Sequence, residues 1–318
     1  PRLQQPYQIQ TNIGWSHELT SNTSVSVDYI NSLGRDLNYR PRLNQDMDPT
    51  AVTARRISTV LTSAGLTALS PNTSSNRPSL SVGESRYDAL IVGVRRRLSR
   101  GVDFSGSYTL SNGRSNIGNA SDELNTANIQ DPTNPFNSPA QMGPNALTDA
   151  RHRISASAVF QLPRGIQVAP FFIYRSALPV VLIDGRDLNA DGDVFDIPAR
   201  AFEVDHVETG VDDTGKEFAK TLFEDVGVCQ TVNCGRGSAQ WQVNLRVSKT
   251  FRLMARMNIE AMVEVYNLFN ALNPATTNRQ VNSAAGVPIA TFLQPTSFSG
   301  DNGRPEQRLG QVGFRVTF

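Results

Sequence analysis

The densest chemistry in the sequence is one acidic turn. Asp187, Asn189 and Asp191 alternate ahead of Gly192, and Asp193 and Asp196 follow. Oxygen-bearing residues at positions 1, 3 and 5 with Gly at position 6 match the front of a calcium loop, in which hard oxygen ligands ring a divalent cation. Carboxylates crowded into one turn repel each other unless a cation neutralises them. The back half departs from that pattern, because Pro198 stands at position 12 where a bidentate Glu would close the shell. Asp196 would then supply the missing carboxylate. The expectation is a weak, structural Ca²⁺ site built from Asp187, Asn189, Asp191, Asp193 and Asp196; the alternative is a solvated acidic turn.

Other reactive groups are sparse. Cys229 and Cys234 are the only cysteines. A metal site would want two more soft ligands, and none lies nearby in sequence. In an exported chain the oxidising compartment favours a short disulfide between them. The three histidines, His17, His152 and His206, are scattered. There is no nucleophile elbow, phosphate-binding glycine loop or zinc-protease motif, so an enzyme is not expected. A net charge of +1, from 30 basic and 29 acidic residues, lacks the surplus that a nucleic-acid binder needs.

The elements that would hold these groups show a period of two. Phe318, Val316, Phe314, Val312 and Gly310 share one face of the C-terminal segment, while Thr317, Arg315, Gly313 and Gln311 share the other. Such a strand suits the wall of an outer-membrane barrel, apolar toward lipid and polar toward a wet lumen; a half-buried strand of a soluble sheet alternates likewise. Tyr7 to Leu19 repeats the pattern, as do segments around Val25–Tyr29, Leu90–Leu98, Phe104–Leu110, Ile154–Leu162, Ile166–Tyr174, Trp241–Val247 and Met257–Val265. No run of 18 apolar residues exists, so no transmembrane helix is expected. A mean hydropathy of -0.32 is compatible with a barrel, because only alternate residues meet lipid.

Nine strands follow, joined alternately by short links and long ones. That alternation matches short periplasmic turns and long extracellular loops. The long loops are expected at about 34–83, 113–150, 178–237 and 271–305. An odd number of strands leaves unpaired edges, which are costly in lipid. The chain also begins Pro1-Arg2-Leu3 without a signal peptide. It is therefore expected to be the C-terminal part of a longer, exported precursor. Aromatics near strand ends, among them Tyr7, Trp15, Tyr108, Tyr174 and Trp241, are expected as interface girdles. Arg95, Arg97, Arg175, Arg246, Glu260 and Glu264 are expected on the lumen or rim.

Several segments resemble TonB-dependent receptors of the Oar-like group. They are Gln5-Pro6-Tyr7 through Trp15-Ser16-His17-Glu18-Leu19, Arg86-Tyr87-Asp88-Ala89-Leu90, Tyr108-Thr109-Leu110-Ser111 and Asp149-Ala150-Arg151-His152-Arg153. Asp187-Leu188-Asn189-Ala190-Asp191-Gly192-Asp193, Val265-Tyr266-Asn267-Leu268-Phe269-Asn270 and the closing Gly313 to Phe318 complete the set. The resemblance implies a 22-stranded barrel filled by an N-terminal plug, of which this chain holds about nine strands. It implies import of a scarce ligand across the outer membrane, powered by the TonB complex. Phe314, Val316 and Phe318 would then be the signal read by the barrel-assembly machinery. The other class of function is a non-transporting barrel, an adhesin or structural protein whose loops bind partners.

Overall fold

The computed structural model describes residues 4–39, 80–117, 142–186, 198–211, 214–215, 217–229, 233–254, 257–299 and 307–318. In chain order the strands are β1 (Tyr7–Thr20), β2 (Thr23–Tyr39), β3 (Leu80–Ser99), β4 (Val102–Ser115), β5 (Gly143–Pro144) and β6 (His152–Leu162). Then come β7 (Ile166–Arg175), β8 (Pro179–Val180), β9 (Arg200–Val211), β10 (Glu217–Val228) and β11 (Gly235–Arg236). The last are β12 (Gln240–Met254), β13 (Met257–Tyr266), β14 (Pro274–Thr277), β15 (Pro295–Phe298) and β16 (Leu309–Thr317).

One antiparallel sheet carries the nine expected strands as sequential neighbours, β1-β2-β3-β4-β6-β7-β12-β13-β16, with the short β5 beside β4. Up-and-down order follows from the links. Arg100-Gly101 and Arg164-Gly165 turn the chain with positive φ at both residues, which suits the tight reversal between twisted strands. The glycines are also needed by the neighbouring strand. A Cβ at Gly101 would meet Gln161 O at 2.7 Å, and one at Gly165 would meet Thr250 O at 2.8 Å.

The register preserves the two faces. One rung joins Trp15, Val27, Val92, Tyr108, Ile154, Tyr174 and Trp241 across seven strands. Another joins Val168, Val247, Val263 and Val312. The opposite face carries rows such as Ser107, Ser155 and Ile173, followed by Gln242. These apolar rungs stand open: Val312 is 69% exposed and Phe314 72%.

The long connections hold more structure than expected. β2 runs to Tyr39 and β3 starts at Leu80, both inside the stretch assigned to loop 34–83. The 178–237 stretch builds a second sheet of order β10-β9-β11-β8. Its signal was legible: Ala201, Phe202, Glu203, Val204, Asp205 and His206 alternate nearly as the barrel strands do. Charged residues between the apolar ones made it read as solvated loop. β14 and β15 form a hairpin within 271–305.

Among the described residues, large apolar side chains are fully buried here and not in the wall. Leu182, Phe292 and Leu293 are buried together, with Val180, Phe202, Val204, Cys234 and Val281 against them. Phe202, Phe223 and Phe292 meet edge to face, with centroids 5.1–6.0 Å apart.

A charged latch ties the second sheet to the wall. Arg236 Nη2 donates to Asp149 Oδ2 at 2.7 Å, and its Nη1 donates to the Asp149 and Ala177 carbonyls at 3.0 and 3.3 Å. Asp149, 1% exposed, also accepts from Gly113 N at 3.0 Å. Removing one partner of such a pair leaves a buried charge uncompensated. Arg236→Ala should therefore loosen the β8–β11 sheet by about 3 kcal/mol, the low end for a buried pair, because Arg236 keeps some exposure. Native-state proteolysis should cut residues 198–229 faster in that variant and little faster in Lys220→Ala, whose 3.6 Å ion pair with Glu208 is exposed.

Candidate functional site

The candidate functional surface is the polar face of the wall with the ordered segments at its long-loop end. On β12, β13 and β16 a charged network lines that face. Arg246 lies 3.5 Å from Glu260 and 3.6 Å from Glu264, and Arg315 lies 3.8 Å from Glu260. Gln311 donates its side-chain amide to Glu264. Alternation places all five on one side of three consecutive strands. Arg246, Glu260 and Glu264 were foreseen on this face; Arg315 was foreseen only by its parity. Arg95 and Arg97 stand exposed near the short-turn end of β3.

The long-loop end is shaped by asparagines. Asn267 and Asn270 adopt φ of 49° and 52°, a left-handed conformation that their short polar side chains tolerate. Asn267 N donates to Asn244 Oδ1 at 2.9 Å, and its side chain bonds both N and O of Ala271. Asn270 Oδ1 accepts from Arg308 N at 3.0 Å, at the entry to β16. The Tyr266-to-Asn270 motif thus ties the exit of β13 to β12 and β16. The neighbouring segment 182–186 packs on 279–282 through paired backbone bonds. There Asp184 accepts Arg186 Nε at 2.6 Å, and this contact holds its carboxyl below the usual carboxylate range against the cost of burial.

Cys229 and Cys234 are joined in a disulfide, with Cα atoms 5.5 Å apart. The ring presents Asn233, whose Nδ2 donates to Pro144 O at 2.7 Å, so it grips β5 as β11 leaves toward the wall. Gly235 follows because a Cβ there would meet Leu182 side-chain atoms at 2.7 Å. The expected Ca²⁺ ligands Asp187, Asn189, Asp191, Asp193 and Asp196 lie outside the described residues. Among the described residues no cluster of His, Cys, Asp and Glu could hold a metal. Two histidines take aromatic partners instead, His17 stacking on Trp15 and His152 Nδ1 lying 2.7 Å from Tyr108 Oη, while His206 Nδ1 lies 2.7 Å from Asp205 Oδ2. Phe314, Val316 and Phe318 project openly, Phe318 at 97% exposure.

The family model for the outer membrane beta barrel domain matches residues 1–307. The chain belongs to that family. It is a wall segment of a bacterial outer-membrane barrel, and its open apolar rungs face lipid. Among solved structures it is similar to the outer membrane transporter YddB from Escherichia coli, at 11% identity and a TM-score of 0.46, covering 99% of this chain and 32% of that one. It is also similar to the ferric-catecholate import receptor Fiu from Escherichia coli, at 10% identity and 0.48, covering 98% and 27%. The FrpB iron transporter from Neisseria meningitidis is similar at 12% identity and 0.44, covering 99% and 32%. The chain spans about a third or less of the length of these structures. No curated protein matches it.

The face assignment is testable in the complete barrel. Val263→Arg sets a charge among Val247 and Val312 on the lipid side and should cost about 2–4 kcal/mol if it lies at the bilayer midplane. Gln311→Arg on the polar face gains Glu264 as partner and should change stability by less than about 1 kcal/mol. Denaturant unfolding from lipid vesicles separates the two.

Proposed function

We propose that this chain is the C-terminal wall of an outer-membrane import receptor, closed into a barrel of about 22 strands by the rest of its protein. The observation that carries this reading is the charged inner face of a wide wall. Small barrels pack their interior with side chains, whereas wide ones enclose a plug or a channel. Arg246, Glu260, Glu264 and Arg315 are placed to meet a plug or a passing solute. The unpaired edges of β1 and β16 would meet the remaining strands, because open edges in lipid leave backbone groups unsatisfied. In this reading the long-loop end faces outside, the short turns face the periplasm, and the TonB complex drives import through the plug. Phe314, Val316 and Phe318 would serve recognition by the barrel-assembly machinery. The chemistry of this wall is binding and passage, with no catalytic role assigned.

Cells dependent on the whole protein for growth under nutrient limitation should lose that growth when the TonB complex is deleted. Growth support that survives deletion, or a defect only in surface attachment, would favour the adhesin reading.

The acidic turn belongs to the same proposal. Asp187, Asn189, Asp191, Asp193 and Asp196 would hold one Ca²⁺ and, with the Cys229–Cys234 disulfide, order the outer surface presented to a ligand. An ordered surface loses less entropy on binding than a floppy one. Calorimetric titration of the whole protein with Ca²⁺ should show binding that Asp187→Ala with Asp191→Ala abolishes. Heat unchanged in the double variant would remove the cation from this turn.

A further inference from the structure

On the polar face of the wall two arginines stand directly opposite each other. Arg153 on β6 pairs in register with Arg175 on β7, in a row that runs Thr109, Arg153, Arg175, Gln240. Side chains so opposed lie about 5 Å apart at Cβ, and like charges there destabilise the pair. On β12, β13 and β16 the charge on this face is balanced, Arg246 and Arg315 having Glu260 and Glu264 for company. Here the adjoining positions on the face are Ser107, Ser155, Ile173 and Gln242. Asp149, a few residues before Arg153 in the chain, is engaged by Arg236 and by Gly113 N. Among the described residues neither Arg153 nor Arg175 has an acidic partner.

The pair is also held in place. Arg175 Nη2 donates to Gln240 Oε1 at 2.8 Å, and Gln240 Nε2 donates in turn to Pro274 O at 2.7 Å. That leaves the rest of the Arg175 fork free to bind. Arg153 Nε is buried with no hydrogen-bond partner. Arg153 borders an open groove of about 810 Å³, with Gln10, Ser32, Asn145, Arg86 and Arg114 also in its lining, and Arg175 borders an adjoining hollow beside Gln240. Guanidinium forks match the geometry of carboxylate and phosphate oxygens, and two of them on opposed residues favour a dianion over a single charge.

We propose that Arg153 and Arg175 form a subsite for an anionic group, a phosphate or carboxylate, on a solute entering the lumen. An anion there would remove the repulsion between the two charges and satisfy the buried donor. The inference rests on the transport reading, because it takes this face as the lumen.

The test uses the whole protein in vesicles, carrying Ser155→Cys on the same face one step from the pair. A membrane-impermeant maleimide should label that cysteine, and pyrophosphate should slow the labelling. In Arg153→Gln and Arg175→Gln the pyrophosphate concentration needed for protection should rise about tenfold, the factor contributed by a charged hydrogen bond. Arg175→Lys should retain part of the protection, and Lys249→Gln on the lipid face should retain all of it. Pyrophosphate should also raise the unfolding midpoint of the native protein and not that of the double Gln variant. Labelling without pyrophosphate protection overturns the subsite and leaves the lumen reading standing. That result includes the case in which a carboxylate from elsewhere in the protein already fills the pair. A cysteine that resists labelling as a lipid-facing position does removes the lumen reading, and the subsite with it.

Discussion

Everything in this molecule follows from the requirement that backbone amides in a bilayer find their partners inside the protein. Nine strands meet it by pairing with sequential neighbours in an antiparallel ladder. Once the backbone is paired in that way, side chains alternate between two environments. The outer one rewards Val168, Val247, Val263 and Val312 for remaining unburied by protein, because hydrocarbon covers them. The inner one admits Arg246, Glu260 and Glu264, which would be costly on the outer side.

The wall therefore has no packed interior of its own, and burial in the ordinary sense moves to the connections. Leu182, Phe292 and Leu293 come from segments far apart in the chain and meet with the aromatic side chains of β9 and β10. A disulfide, a buried Arg–Asp pair and several Asn side chains then fix that cluster to the barrel rim. Short-range polar contacts are suited to this task, since an irregular rim offers many unpaired backbone groups and each needs a partner. The result is an ordered outer end set on a wall whose inner face carries charge.

Charge on that inner face is of two kinds. The Arg246 network is close to self-compensating, with three cross-strand ion pairs longer than 3.4 Å. Such loose pairs can be exchanged for other partners at modest cost, because exposed pairs contribute little. Arg153 and Arg175 are instead opposed like charges with no acidic partner among the described residues.

The strand count, faces and sequential order were legible because period-two alternation is local and each strand carries its own signal. The short turns were legible for the same reason: Arg100-Gly101 and Arg164-Gly165 mark them directly. The β9–β10 hairpin was missed although Phe202, Val204 and Phe223 alternate with polar residues, since acidic neighbours give the same pattern to a solvated loop. Asp149 appeared only as part of a motif, and its partner Arg236 lies beyond two further strands of the wall. Pairings of that kind depend on which segments the folded chain brings together at the rim, and no local period records them. The opposition of Arg153 and Arg175 has the same origin. Alternation placed Arg175 inward, but the start of β6 and its register with β7, set by the turn at Pro163–Gly165 and the pairing of the whole sheet, decided that Arg153 faces it.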